Sequence, residues 1–209
     1  LALAAVAALA SPASTQIFSE DFSSGTPPTG WTVVDVAASG VAGWIPGILD
    51  PYSGMDHTDW AFHDYDYVLP ANTIMVSPVI DFSTVSGASL SFLTETEWAE
   101  WMLHHPYSLS DGVSTAEVST DGGATWTVVW TDDVLLDFTP VTRTVDISAY
   151  DGMPNVQIGF RYTGFDAHAW WLDDVLIDGA GGPSYSIAGL AGGGTATLTV
   201  AGATPGGPV

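Results

Sequence analysis

Two adjacent carboxylates, Asp173 and Asp174, lie inside the apolar run WWLDDVLID at residues 170–178. Removing such a pair from water is costly, because desolvation penalises each charge and each carboxylate raises the pKa of the other. Only Arg143 and Arg161 provide basic side chains in the whole chain. Any fold must therefore bring positive charge to this strand, and a bound hard cation, Ca²⁺ first of all, is our leading hypothesis. The alternative is that Arg161 pairs with one of the carboxylates.

The overall charge favours cations as partners. Twenty-four acidic residues against two basic ones give a formal net charge of -22, which makes nucleic acid and anionic membrane surfaces poor partners. A simpler reading is that the acidity only confers solubility. The chain has no cysteine, which excludes disulfides, thiolate metal sites and cysteine nucleophiles and leaves a metal ion as the available cross-link.

Both ends of the chain differ from its middle. The run LALAAVAALA and the small residues after it predict that 1–13 is the remnant of a signal peptide, cleaved after Ala10 or Ala13, and hence that the protein is secreted. We expect a chain that has lost its true start and that is not inserted in a membrane, because no segment approaches the roughly 20 apolar residues of a spanning helix. The Gly-rich segment 180–209 is predicted to be a linker and the start of a truncated second β module, or else a disordered tail.

Residues 16–179 are predicted to form one all-β domain. Helical periodicity is nearly absent, and alternation is clear at Val156, Ile158, Phe160 and Tyr162, as a strand with one buried face requires. Nine short strands favour a two-sheet antiparallel β-sandwich of the jelly-roll type. The predicted strands are 16–22, 31–36, 73–77, 89–98, 115–119, 125–130, 141–147, 156–163 and 169–177.

The segment STDGGATW at 119–126 matches the Asp-box pattern S-x-D-x-G-x-T-W. Asp121 is expected to accept hydrogen bonds from turn amides, the glycines permit positive φ, and Trp126 is expected to fold back over the turn. The pattern occurs once, so a propeller of repeated blades is not expected. The role of this hairpin is predicted to be structural.

The order of motifs along the chain resembles that of the choice-of-anchor J and cleaved-adhesin domains, relatives of the MAM domain. The resemblance implies a MAM-like or galactose-binding-like jelly roll, used as a non-catalytic extracellular module of a larger bacterial protein and often stabilised by Ca²⁺. The matching segments are FSEDF at 18–22, PTGWTVVD at 28–35, GW at 43–44, VSPVIDFS at 76–83, ASLSF at 88–92, the Asp-box hairpin, TVDISAY at 144–150, IGFRY at 158–162 and WLDDV at 171–175.

The same resemblance places the first strand beside the last. It implies a calcium site formed by four carboxylates, Glu20, Asp21, Asp173 and Asp174, with backbone carbonyls completing the coordination. The alternative is that strand alternation turns one carboxylate of each pair to solvent. The chain departs from cleaved adhesins after Asp35, where the Asp-rich loop of that family is replaced by VAASG. A second cation site is therefore not expected there.

Recognition of a glycan or another cell-surface or matrix component, by a monomeric module, is the predicted function. Sugar rings stack on exposed aromatic side chains and their hydroxyls bond to carboxylates, independently of net charge. The predicted ligand-binding residues are Trp98, Trp101, Tyr107, Tyr65, Tyr67, Asp64 and Asp66. The other tryptophans are expected to lie in the core, namely Trp31, Trp44, Trp60, Trp126, Trp130 and one of Trp170 and Trp171.

The alternative function is catalysis at ETEWAE, residues 95–100. It echoes the E-x-D-x-x-E strand of laminarinase-like glycoside hydrolases, with Glu95, Glu97 and Glu100 as the candidate catalytic residues. Glu95 and Glu97 would project from one face of a strand, about 6 to 7 Å apart. The central residue is Glu instead of Asp, and the surrounding motifs belong to the other family.

Overall fold

A computed structural model shows that the regular secondary structure of the described residues is almost wholly β-strand, which confirms the predicted fold class of a two-sheet antiparallel β-sandwich. One short 3₁₀ helix, Ser148–Tyr150, is the single helical element among the described residues. Among these residues, none belongs to a helix long and apolar enough to cross a membrane. The structure describes residues 14–41, 43–49, 55–64, 69–98, 112–132, 138–165, 167–180, 184–188 and 197–201.

The strands follow the predicted runs to within a few residues at most boundaries. Two strands of three residues each, Trp44–Pro46 and Ala61–His63, are additional to the nine predicted ones. In chain order the strands are β1 Thr15–Glu20, β2 Thr32–Asp35, β3 Trp44–Pro46, β4 Ala61–His63, β5 Ala71–Val76, β6 Ser89–Glu97, β7 Val113–Ser119, β8 Thr127–Thr131, β9 Val141–Asp146, β10 Gln157–Gly164, β11 Ala169–Gly179, β12 Ser184–Ala188 and β13 Thr197–Ala201.

Two sheets make up the sandwich. The six-stranded sheet has the order β3-β4-β11-β6-β9, with β1 also paired to β11, and the five-stranded sheet has the order β2-β5-β10-β7-β8. Strands β12 and β13 pair with each other in a separate two-stranded sheet. The predicted domain limits of 16–179 and 180–209 remain a prediction.

The core lies between the two sheets. The alternating residues of β10 and of the position before it enter the core as predicted, because Val156, Ile158, Phe160 and Tyr162 are all buried. Across the core, β11 contributes Trp170 from the six-stranded sheet, whose indole Nε1 donates a hydrogen bond to Thr94 Oγ1 at 2.7 Å.

Strand β11 organises the six-stranded sheet. On one side it pairs with β6 from Ala169 to Asp178, with a shift of register between Asp173 and Leu176. On the other side its first part pairs with β4, from Trp170 to Leu172, and its second part pairs with β1, from Val175 to Gly179. The first strand of the sandwich is thereby joined to the last, and Asp173 and Asp174 lie where β4 gives way to β1.

Candidate functional site

A β-bulge carries the two adjacent carboxylates. The register between β11 and β6 shifts between Asp173 and Leu176, and Asp174 has a positive φ of 48°. The bulge lets Leu172 and Val175, three residues apart, both enter the core. Both carboxylates therefore lie outside the core, with Asp173 half-buried and Asp174 exposed. The sequence-based picture of two buried carboxylates is corrected by this extra residue.

The structure brings Glu20 and Asp21 to this bulge. Glu20 is the register partner of Val175, the residue after Asp174. An open groove of about 480 Å³ is lined by Glu20, Asp21 and Asp174 together with neighbouring residues of the sheet. The carboxylate of Glu20 accepts a hydrogen bond from the amide of Phe22 at 3.0 Å, and Asp21 accepts two from Ser23 at 3.1 and 2.7 Å. Each of these two acidic side chains thus has a defined local conformation.

Among the acidic residues at the bulge, Asp173 has the raised pKa. Burial first of all, and then the charges of Asp174, Asp21 and Asp59, together raise the pKa of its carboxyl group to about 7. Its Oδ1 atom is buried and has no hydrogen-bond partner. We call Glu20, Asp21, Asp59, Asp173 and Asp174 the acidic junction, and conclude that the carboxylates of Asp174, Asp21 and Asp59 repel that of Asp173.

Neither arginine relieves this repulsion. Arg161 lies in the five-stranded sheet and binds Glu117 through two hydrogen bonds, of 2.7 and 2.9 Å. Arg143 lies 3.9 Å from Asp132. The alternative in which Arg161 neutralises the carboxylates of β11 is therefore wrong, and both basic side chains of the chain are engaged elsewhere.

The acidic junction supplies the oxygen ligands that Ca²⁺ prefers. Among the described residues, however, no group of three or more acidic or histidine side chains is already arranged to hold a metal ion. The unpartnered, buried Oδ1 of Asp173 and the uncompensated charge around it fit a hard cation. Calcium binding by Glu20, Asp21, Asp173 and Asp174 stays a prediction.

A second polar cluster lies on the outer face of the six-stranded sheet. Phe62, Trp171 and Glu95 are register partners on adjacent strands and so project from the same side. The carboxylate of Glu95 is 3.1 Å from Nε2 of His57, and both residues are only 1% exposed. The ring of His57 stacks on Trp171 with a centroid separation of 4.5 Å. The loop that carries His57 therefore covers this face through a buried polar pair.

Within the part of the chain that the structure describes, the candidate catalytic carboxylates line no cleft of substrate size, since the cavity beside Glu95 has a volume of only about 10 Å³. Glu97 pairs with Ala169, two residues from the Glu95–Trp171 pair, so Glu95 and Glu97 share a face as predicted. Both side chains are nevertheless buried, and Glu95 is paired with His57. Glu100 lies outside the described residues. This arrangement offers a substrate no access to the described pair.

The predicted ligand-binding residues are described only in part. Trp98 follows β6 with a positive φ of 69° and packs edge-on against Phe138. Asp64 follows β4, and its carbonyl accepts a hydrogen bond from His63 Nδ1 at 3.0 Å. The other predicted residues, Trp101, Tyr107, Tyr65, Tyr67 and Asp66, lie outside the described residues.

Two buried histidines are held as neutral rings. His63 receives a hydrogen bond from Thr73 Oγ1 at 2.8 Å, and His168 lies 2.9 Å from Ser114 Oγ. Burial lowers the pKa of His63 to about 3 and that of His168 to about 4. These rings are polar elements of the interior at neutral pH.

The Asp-box hairpin forms as predicted, but Trp126 does not enter the core. Asp121 accepts hydrogen bonds from Thr125 and Ser119, which lowers the pKa of its carboxyl group to about 2. Trp126 donates from Nε1 to Gly123 O at 3.1 Å and remains partly exposed.

The other tryptophans also refine the expected core. Both Trp170 and Trp171 are fully buried, but only one of them belongs to the main core between the sheets, in agreement with the sequence prediction. Trp170 lies in the main core, and Trp171 lies in the outer-face cluster with the partly buried Trp60.

Comparison with known proteins finds similarity in structure alone. No protein-family model matches the chain, and no curated protein matches its sequence. The K3 cleaved adhesin domain of Lys-gingipain from Porphyromonas gingivalis W83 is 17% identical with a TM-score of 0.58, over 79% of this chain and 99% of that one. The K1 domain of the same protein is 18% identical with a TM-score of 0.57, over 80% and 99%. The chain therefore shares the fold of cleaved adhesin domains.

Proposed function

We propose that this chain is a secreted or cell-surface interaction module, without catalytic activity of its own, that is stabilised by Ca²⁺ and binds glycan or another surface component. The observation that carries the proposal is the acidic junction between β1 and β11, where a half-buried carboxylate has no cationic neighbour. The shared fold with cleaved adhesin domains supports an adhesive role. The apolar run at residues 1–10 supports an extracellular location.

In this proposal the ion is held by Glu20, Asp21, Asp173 and Asp174, and Ca²⁺ supplies the positive charge that the arginines do not. Because β1 and β11 are the first and last strands of the sandwich, the ion links the two ends of the domain. Because the ion binds only the folded state, it raises the free energy of unfolding.

Thermal unfolding in millimolar CaCl₂ and in EGTA tests the metal. At a free Ca²⁺ concentration about 100 times the Kd, binding adds roughly 2.7 kcal/mol of stability, which raises the Tm of a domain of this size by roughly 5–10 °C. MgCl₂ is the matched control, since the smaller ion retains its waters and suits this site less well. Equal Tm values in CaCl₂ and EGTA would refute the calcium proposal.

A glycan array tests recognition, and reducing-sugar release from β-glucan tests hydrolysis. We expect retention of particular glycans and no sugar release, because Glu95 and Glu97 are buried. Sugar release that disappears in Glu95→Gln would overturn the non-catalytic proposal. An array without any retained glycan would leave a protein or other surface component as the partner.

A further inference from the structure

A groove crosses the outer face of the five-stranded sheet, whereas the two described ligand-binding candidates, Trp98 and Asp64, follow strands of the six-stranded sheet. Its volume of about 350 Å³ lies in the range of small-ligand sites. The edge strand β2 forms one side, and the tip of the Asp-box hairpin forms the other. Its lining includes Thr32, Val34, Ile74, Trp126, Gln157 and Arg161.

The floor of the groove is apolar and depends on a glycine. A Cβ added to Gly159 would lie 2.5 Å from Ile74 Cδ1 and 2.7 Å from Trp126 Cζ3, so the indole ring lies directly over the backbone of β10. The hydrogen bond from Trp126 Nε1 to Gly123 fixes the ring to its own hairpin. Beside it, Val34 is 46% exposed on the edge strand. An aromatic ring and an exposed aliphatic patch match the apolar C–H face of a sugar ring.

At the polar end of the groove, the positive charge of Arg161 is neutralised by Glu117. The guanidinium group of Arg161 donates two hydrogen bonds to Glu117 and one, of 3.0 Å, to Asn72 Oδ1. These contacts use three of its five N–H donors and hold the group in one plane. Two donors are left for a ligand, while the charge is already neutralised by Glu117.

These features select a neutral polyhydroxylated ligand. An anionic ligand would need an unpaired cation and would approach a chain of net charge -22. A cationic ligand would meet a guanidinium group at the polar end. A neutral sugar uses the aromatic ring and aliphatic floor through its C–H face and accepts hydrogen bonds from Arg161 through its hydroxyl oxygens.

We propose that this groove is the binding site for a neutral oligosaccharide, with one sugar ring packed against Trp126 and Val34 and its hydroxyls bonded to Arg161. The inference rests on the proposed glycan-binding function and assigns that function to the five-stranded sheet. It gives the Asp-box hairpin, expected to be only structural, the role of presenting an aromatic side chain to the ligand.

The groove is tested by isothermal titration calorimetry on the full chain with cellohexaose, mannohexaose, xylohexaose and laminarihexaose. Val34→Glu adds a charge to the exposed floor without entering the core, and we expect it to weaken binding of whichever saccharide binds by at least about tenfold. Val128→Glu is the matched control. Val128 is 53% exposed on the same face of the same sheet, in register with Glu117, and lies outside the groove.

A second variant, Trp126→Ala, removes the ring, with circular dichroism to establish that the sandwich remains folded. Saccharide binding that survives both Val34→Glu and Trp126→Ala would overturn the groove while leaving the glycan proposal intact. An equal loss in Val128→Glu would also overturn it, because the effect would then be one of general charge. A wild-type chain that binds none of the four saccharides and no glycan on the array would overturn the glycan-binding function together with the groove.

Discussion

Replacing Asp173 with asparagine should have opposite effects on stability with and without calcium. In the metal-free protein the carboxylate is half-buried and repelled by Asp174, Asp21 and Asp59. Its pKa in the folded state lies above the unfolded value, so the folded protein binds the extra proton between pH 4 and 7 and loses stability as the pH rises through that interval. The asparagine side chain is neutral at every pH, so Asp173→Asn should stabilise the metal-free protein at pH 7.5.

The magnitude follows from the raised pKa. A rise from 3.8 to about 7 corresponds to about 4 kcal/mol for a fully desolvated carboxylate. Because half of Asp173 contacts solvent, screening reduces this, and we expect a gain of roughly 1–2 kcal/mol. In saturating Ca²⁺ the wild-type protein gains the binding energy that the variant lacks, so the order of stabilities reverses.

Urea unfolding in EGTA and in CaCl₂, at pH 4.5, 6 and 7.5, measures both effects. The gain from Asp173→Asn in EGTA should grow with pH. Asp178→Asn, on the same strand beyond the bulge, is the matched control and should show neither the pH-dependent gain nor the reversal. A variant that is less stable than wild type by the same amount in EGTA and in CaCl₂ would refute the account of the acidic junction.

Two further outcomes follow from the buried polar groups. The pKa of His168 is lowered in the folded state, so its contribution to stability is complete above about pH 6.5 and is lost as the pH falls towards 4. In His168→Gln, the free energy of unfolding measured in urea should therefore fall less steeply over that interval. An unchanged pH profile would contradict this. The variant His57→Ala leaves the buried carboxylate of Glu95 unpaired and should lower the free energy of unfolding by about 3–5 kcal/mol. The double variant His57→Ala, Glu95→Gln should recover part of that stability. A loss below about 1 kcal/mol in urea unfolding would show that the pair is not buried in solution.

The strands of the sandwich were predictable because each buried face repeats every second residue. Val156 to Tyr162 is the clearest case, and its burial agrees with the sequence pattern. Strands β3 and β4 escaped prediction because three residues are too few to show a period, and β3 ends in Pro46. The bulge at Asp173 did leave a signal, since apolar Leu172 and Val175 are three residues apart where strict alternation requires two.

Apart from the pairing of the first strand with the last, which the family resemblance implied, the contacts between distant segments could not be predicted. His57 and Glu95 are 38 residues apart, and neither residue type suggests a buried partner. The prediction that Trp126 enters the core is wrong because the Asp-box pattern specifies the turn but not the face of the sheet on which the hairpin lies. Gly159 completes the placement of the ring, because its missing side chain leaves room for the indole. Local pattern therefore determined the strands, while tertiary packing determined the groove.

The central position of β11 has a consequence for how this chain folds. Thr15 pairs with Gly179, and these positions are 179 − 15 = 164 residues apart in the chain. Strands β1 and β4 both pair with β11, so neither can form this pairing until β11 has been made. Until then, one edge of β6 is also unpaired. Contacts of such long range slow folding. A nascent chain that stops anywhere before residue 169 consequently has no route to a closed sandwich, so folding is delayed until nearly all of the domain has been made.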